Sequence, residues 1–261
     1  MVGLGILNGI AHQITAIDSA TINHHHLKTF LKKYLPGNLF ALFSKVRSSC
    51  RNAGLVFKDS EKIFSDIYRN RSWGGASLSG MGSDLQQTES LRRNFIPLLE
   101  RYRIESILDL PCGDFHWMRQ IDLGKRRYLG GDIVKDLILS NQQYFESDNR
   151  RFMTLDIMAD DLPESDLLLC RDCLIHFSSS DILKTFRNIK NSKIHYLLTT
   201  NYPLINKNAD IITGDYRAIN LQLPPFNFPK PLMTIQEDYF PNHKNNPNFI
   251  RELCLWKTVD L

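Results

Sequence analysis

Three polar side chains of catalytic type, Arg171, Asp172 and His176, follow directly on the apolar run Ser165–Cys170. That run, S-D-L-L-L-C, reads as a buried strand because it is continuously apolar, so the three groups stand at a strand exit. Imidazole titrates near neutrality, which makes His176 the first candidate for a general base. Asp172 is the second, either as base or as the group that orients His176, since on a helical turn a spacing of four puts both on one face. Arg171 either anchors an anionic substrate group or pairs with Asp172. The competing reading of His176 is a cap or a packed side chain.

A second set of residues is suited to holding a ligand. Ser106-Ile107-Leu108 is a short strand ending in an acid, Asp109, followed by Pro111, Cys112 and Gly113. The pattern predicts a strand, a tight glycine turn and a helix that starts over Phe115 to Ile121. In a parallel α/β sheet, ligands bind outside the carboxyl ends of strands, where such turns let backbone approach them. Arg127 to Asp132 reads as the next strand, also ending in an acid, and the interval from Asp109 to Asp132 is the roughly twenty residues expected across one strand-helix-strand unit. An acid there accepts hydrogen bonds from both hydroxyls of a ribose, a bidentate task that suits a carboxylate. Capping the helix Val134 to Phe145 is a compatible second role for Asp132.

The surrounding elements must bring these sets together. Lys62 to Arg69 reads as a helix. Ser72 to Ser83, S-W-G-G-A-S-L-S-G-M-G-S, is irregular and glycine-rich, and it precedes a helix, Asp84 to Tyr102, that feeds the first strand. Such a loop either wraps a ligand or serves as a plain linker; here Trp73, Ser79 and Gly80 are its candidate contacts. Arg151 to Leu155 is a third strand, followed by Asp156-Ile157. Asp181 to Lys190 is helical, and Ile194 to Thr200 is a fifth strand. Alternating strands and helices imply a parallel sheet. The tail, rich in proline before Leu232-Met233-Thr234 and then running from Ile250 to Val259, reads as loop and a closing pair of strands.

The segment D-L-P-C-G-D-F resembles motif I of the class I S-adenosylmethionine (SAM) dependent methyltransferases, with Asp109 in the acid position and Gly113 as the central glycine. Pro111 and Phe115 replace the outer glycines. Together with W-G-G and S-G-x-G-S, it resembles a largely uncharacterised bacterial group of that superfamily over most of residues 60–230. The resemblance implies a Rossmann-like fold with a mostly parallel seven-stranded sheet and an antiparallel C-terminal strand, a methyltransferase domain over 61–261, and an N-terminal helical extension or cap over 1–60. SAM is the cofactor it implies, held by Asp109, Pro111, Cys112, Gly113, Asp132, Ile133, Asp156, Ile157 and Arg171. Asp156 would contact the adenine amino group and Ile157 its ring. SAM brings its own electrophile, so neither a metal nor a covalent nucleophile is required.

Target class rests on weaker signals. Amino-methylation of DNA bases in this superfamily typically uses N/D-P-P-Y/F/W after the fourth strand, and R-D-C-L lacks it. The net charge of +4 falls short of the dense basic stripe of a dedicated nucleic-acid binder. A small molecule or a saccharide is the expected acceptor, with O-methylation preferred and Asn208, Asp210, Asp215, Tyr216 and Arg217 near it. A catalytically silent SAM-binding module is the alternative. A nicotinamide-dependent oxidoreductase is disfavoured because G-x-G-x-x-G is absent after the first strand.

Five cysteines at irregular spacing argue against a disulfide framework and for a reducing compartment. Cys170 and Cys173 have C-x-x-C spacing without a second pair, so packing is favoured over a metal or redox role. His24-His25-His26 lacks acidic or cysteine partners and reads as a solvated run. No signal peptide or membrane-spanning run is legible, which places the protein in the cytoplasm as an expectation.

Overall fold

The computed structural model describes residues 59–237 and 250–261. The expected N-terminal extension and the three histidines at 24–26 lie outside these residues. Chain order runs α1 (Ser60–Arg69), α2 (Glu89–Arg101), β1 (Ser106–Asp109), β2 (Arg127–Asp132), α3 (Lys135–Phe145), β3 (Arg150–Thr154), β4 (Leu167–Cys170), α4 (Ser179–Asn191), β5 (Tyr196–Asn201), β6 (Met233–Glu237) and β7 (Arg251–Lys257). The strands form one seven-stranded sheet in the order β3-β2-β1-β4-β5-β7-β6. The five strands β1 to β5 pair in parallel, whereas β7 runs antiparallel to both β5 and β6. This is the expected mostly parallel architecture with an antiparallel close.

Alternation along the strands divides the core into two layers, because successive side chains point to opposite faces of a sheet. Ile107, Leu167, Leu169, Leu198, Leu253 and Leu255 pack on one face with Leu91, Phe95 and Leu98 of α2. Leu108, Leu168, Leu197, Cys254 and Trp256 pack on the other with Ile182, Phe186 and Ile189 of α4. β4 is buried along its whole length, which is why its sequence shows no polar alternation. Two helix starts, those of α4 and α1, have a local cause. Ser178 accepts a hydrogen bond from the Asp181 N–H at the start of α4, and Asp59 does the same from Lys62 at α1.

Two expectations fail. No α-helix follows β1: Phe115 takes a left-handed backbone (φ 55°), and only a 3₁₀ turn forms, at Met118–Gln120. Phe115 is instead the hub of an aromatic cluster, with ring centroids 5.2 Å from Tyr128, 5.4 Å from Phe145 and 5.2 Å from Phe152. Its large side chain is drawn into the core, and the backbone yields. Likewise α2 begins at Glu89 rather than at position 84, because Asp84 is engaged elsewhere. Among the described residues, no helix is long and apolar enough to cross a membrane.

The sheet order reverses direction between β1 and β4. That places the exits of β1, β2 and β4 side by side at the switch point, where open α/β sheets bind ligands.

Candidate active site

Asp109 ends β1 and is buried, with the Tyr128 hydroxyl donating to its Oδ2 at 2.6 Å. Burial pushes the Asp109 carboxyl up to about 7, against the pull of the Tyr128 hydrogen bond and the Arg171 charge. Four residues on, Gly113 lies in the left-handed region (φ 58°), and a Cβ there would stand 2.1 Å from the Ser79 hydroxyl. Both facts require glycine: the turn passes directly beneath the Ser72–Ser83 loop. Gly113→Ala is therefore expected to displace the loop and destabilise the protein by about 1–3 kcal/mol, read as a lower melting temperature.

Asp132 closes β2. Each carboxylate oxygen accepts one backbone N–H, Oδ2 from Gly113 (3.2 Å) and Oδ1 from Val134 (3.0 Å). Thus the motif turn and the entrance to α3 are tied to one acid, and each oxygen keeps a further lone pair. Burial raises the Asp132 carboxyl to about 6, while these amide bonds and the neighbouring Ile133 N–H pull it down. At the end of β3, Asp156 accepts from the Met158 N–H (2.8 Å) and is raised by half-burial. Ile133, Leu155, Ile157 and Met158 supply apolar walls beside these acids.

The loop over the turn is fastened by a residue that the sequence reading missed. The Asp114 carboxylate accepts from the Ser77 hydroxyl (2.8 Å), the Leu78 N–H (2.7 Å) and the Ser79 hydroxyl (3.1 Å), and its own N–H donates to Ser79 Oγ (2.9 Å). From behind, Asp84 Oδ1 accepts from the Ala76 and Ser77 amides. This clasp sets Trp73 and Ser79 against the cavity. Gly80 does not line it: its φ of 94° and a virtual Cβ 2.7 Å from the Trp73 Cβ show that it makes room for the tryptophan. The Trp73 ring stacks on His176 at 5.0 Å and 28°.

At the exit of β4, Asp172 is left-handed (φ 52°), so the expected helical turn from Asp172 to His176 is not formed; the 3₁₀ turn spans Leu174–His176. Arg171 is buried. It donates to Glu237 Oε1 (2.9 and 2.8 Å) and to the Gly82 carbonyl (2.7 Å), and its Nη1 lies 3.3 Å from Asp172. Of the two roles offered by the sequence, pairing is the one seen. Arg251 donates to Asp172 Oδ2 at 2.6 Å and contacts Glu237 Oε2 at 3.0 Å. The four charges join β4, β6 and β7, and stranding any one of them in the interior would cost about 3–5 kcal/mol. Burial alone would raise Asp172, but Arg171 and Arg251 outweigh it and hold the carboxyl at about 2. A carboxylate so held is a poor proton acceptor at neutral pH, and its hydrogen bonds go to Arg251 and Thr200 rather than to His176.

His176 differs. Its Nδ1 lies 2.8 Å from the Asp215 carbonyl. A carbonyl only accepts, so Nδ1 carries the proton and Nε2 keeps the lone pair. Burial lowers the imidazole below the usual histidine range, opposed by the Asp215 carbonyl and the Asp172 charge. His176 is therefore neutral near pH 7 and competent as a base.

With the exception of Gly80, every residue nominated from the sequence for catalysis or cofactor binding lines one cavity, whereas Asn208, Asp210, Asp215, Tyr216 and Arg217, expected near the acceptor, do not line it. Phe64 and Tyr68 of α1, Leu78, Asp114 and Trp117 line it as well.

No family model and no curated protein matches the chain. Solved structures do. A SAM-dependent methyltransferase of Leishmania major superposes with a TM-score of 0.57 at 13% identity, over 76% of this chain and 84% of that one. Magnesium protoporphyrin IX methyltransferase from Synechocystis PCC 6803, with bound SAM, gives 0.51 at 12% identity, over 77% and 97%. Human N-acetylserotonin methyltransferase in complex with SAM gives 0.50 at 13% identity over 77% of this chain, which spans 60% of the human one. At these identities the likeness speaks for architecture: the chain has the Rossmann-like class I methyltransferase fold.

Proposed function

We propose that the protein is a SAM-dependent methyltransferase that methylates a hydroxyl of a small-molecule or saccharide acceptor, with His176 as general base. The observation that carries this reading is that Asp109, Gly113, Asp132 and Asp156, distant in sequence, line the same cavity as His176.

The residues fit the cofactor. Asp132 retains lone pairs for two ribose hydroxyls, Asp156 offers an acceptor to the adenine amino group, and Ile133 and Ile157 are apolar surfaces for the ring. The buried Asp109 carboxylate suits the positive charge of the methionine portion. When bound, SAM supplies an electrophilic methyl on a sulfonium. The chain's own part is to orient, to exclude water and to move one proton. Trp73 and the clasped loop screen the site, and His176 Nε2 takes the acceptor's hydroxyl proton as its oxygen becomes nucleophilic.

The carboxyls at about 7 and about 6 give this reading a pH signature. A cationic ligand that donates hydrogen bonds favours both groups ionised, so the bound form holds fewer protons and affinity rises with pH. SAM binding is expected to weaken by about tenfold or more as pH falls from 7.5 to 5.5, measured by calorimetric titration. A flat profile would remove both acids from the cofactor contact.

The deciding experiment pairs that titration with transfer of a labelled methyl to a panel of phenols, alcohols and saccharides. Absence of SAM binding overturns the reading. Binding without transfer to any acceptor leaves a SAM-binding module.

A further inference from the structure

The segment Gly214–Arg217 is far from His176 in sequence yet bound to the turn that carries it. All three carbonyls of the Leu174–His176 turn accept from it. Gly214 N–H donates to the His176 carbonyl (2.8 Å), Arg217 N–H to that of Ile175 (3.1 Å), and Arg217 Nη1 to that of Leu174 (2.8 Å). The strap then receives the His176 Nδ1–H on the Asp215 carbonyl (2.8 Å), and the Tyr216 ring lies 5.9 Å from the imidazole. A single strap therefore fixes both the backbone that carries the imidazole and the nitrogen that carries its proton.

Arg217 is an unusual means to that end. It is only 7% exposed, and its hydrogen bonds go to main-chain carbonyls, those of Leu174 and of Ala209 (Nε, 3.1 Å). Burying a guanidinium without a carboxylate in direct contact is costly. Burial lowers its pKa to about 10, with Asp210 opposing, so it stays charged at neutral pH. A fixed positive charge near an imidazole disfavours imidazolium. Among the described residues, the charged groups facing His176 are thus Asp172 from the β4 exit and Asp215 and Arg217 from the strap, whereas the loop contributes the uncharged Trp73.

We propose that Arg217 is a positioning residue for His176, acting through the strap to keep the proton on Nδ1 and to present a neutral Nε2 to the acceptor. This rests on the methyltransferase reading but is tested without an acceptor. The probe is the long-range ¹H–¹⁵N spectrum of histidine-labelled protein, with His176 assigned by the signal lost in His176→Gln. Wild type is expected to show Nδ1 protonated and Nε2 bare at pH 7. Arg217→Lys keeps the charge and loses the planar fork, so the tautomer is expected to shift toward Nε2–H with the pKa little changed. Arg217→Met loses both, and its His176 pKa is expected to rise by about half a unit to one unit as well.

A wild-type spectrum with the proton on Nε2 overturns the proposal outright, even where a variant does not fold. So does an Arg217→Lys protein that melts like wild type and keeps the wild-type tautomer. SAM titration of the same samples separates the two readings. Loss of the tautomer signature with SAM affinity retained supports the proposal, whereas wild-type protein that binds no SAM removes the methyltransferase reading and this role with it.

Discussion

His176→Ala is expected to lower methyl transfer to a hydroxyl acceptor by about 10²- to 10⁴-fold, the usual contribution of a positioned general base, while SAM affinity stays near the wild-type value. The expectation rests on the bare Nε2 and on the absence of a better-placed acceptor in the set, since Asp172 is held at about 2 by its arginines. The alanine also removes the stacking partner of Trp73, so the cofactor titration must accompany the rate. Loss of rate with binding retained isolates the proton transfer. A variant with unchanged turnover would return His176 to a packing role.

The second large effect is on binding. Asp132→Ala is expected to weaken SAM by about 10²- to 10⁴-fold, because two hydrogen bonds to a charged acceptor are worth roughly 1.5–3 kcal/mol each. The alanine also orphans the Gly113 and Val134 amides, so part of the loss belongs to a loosened turn. Asp132→Asn separates the contributions: one side-chain oxygen still accepts an amide, but the charge is gone. An alanine variant of wild-type affinity would show that the ribose is held elsewhere.

β1 and β4 were legible because a strand buried on both faces is written with hardly any polar alternation, and β1, β2 and β4 each carry a cavity-lining acid or base at or just beyond their ends. The helix expected after β1 was misread for a physical reason. Phe115, Trp117 and Met118 have amphipathic spacing, but the Phe115 ring is claimed by the aromatic cluster, and its left-handed backbone ends any helix before it starts. Asp114 escaped notice because its partners lie some 35 residues upstream, in serines that look like ordinary loop filler. An acid directly after a required glycine was the available signal. Glu237 and Arg251 were illegible for the same reason at greater range, since their task is defined only when β6 and β7 join the sheet beside β4.

Residues 202–232, between β5 and β6, contain neither helix nor strand. Asn208 braces them from within, donating to the carbonyls of Asn220 and Pro224 and accepting from the Asn220 amide, while Ile219, Leu221 and Phe228 enter the core. The acids at the exits of β1, β2 and β3, by contrast, are welded into the sheet. Substitution is therefore tolerated only at the exposed positions of this long excursion, such as Leu204, where it leaves the sheet-bound acids undisturbed.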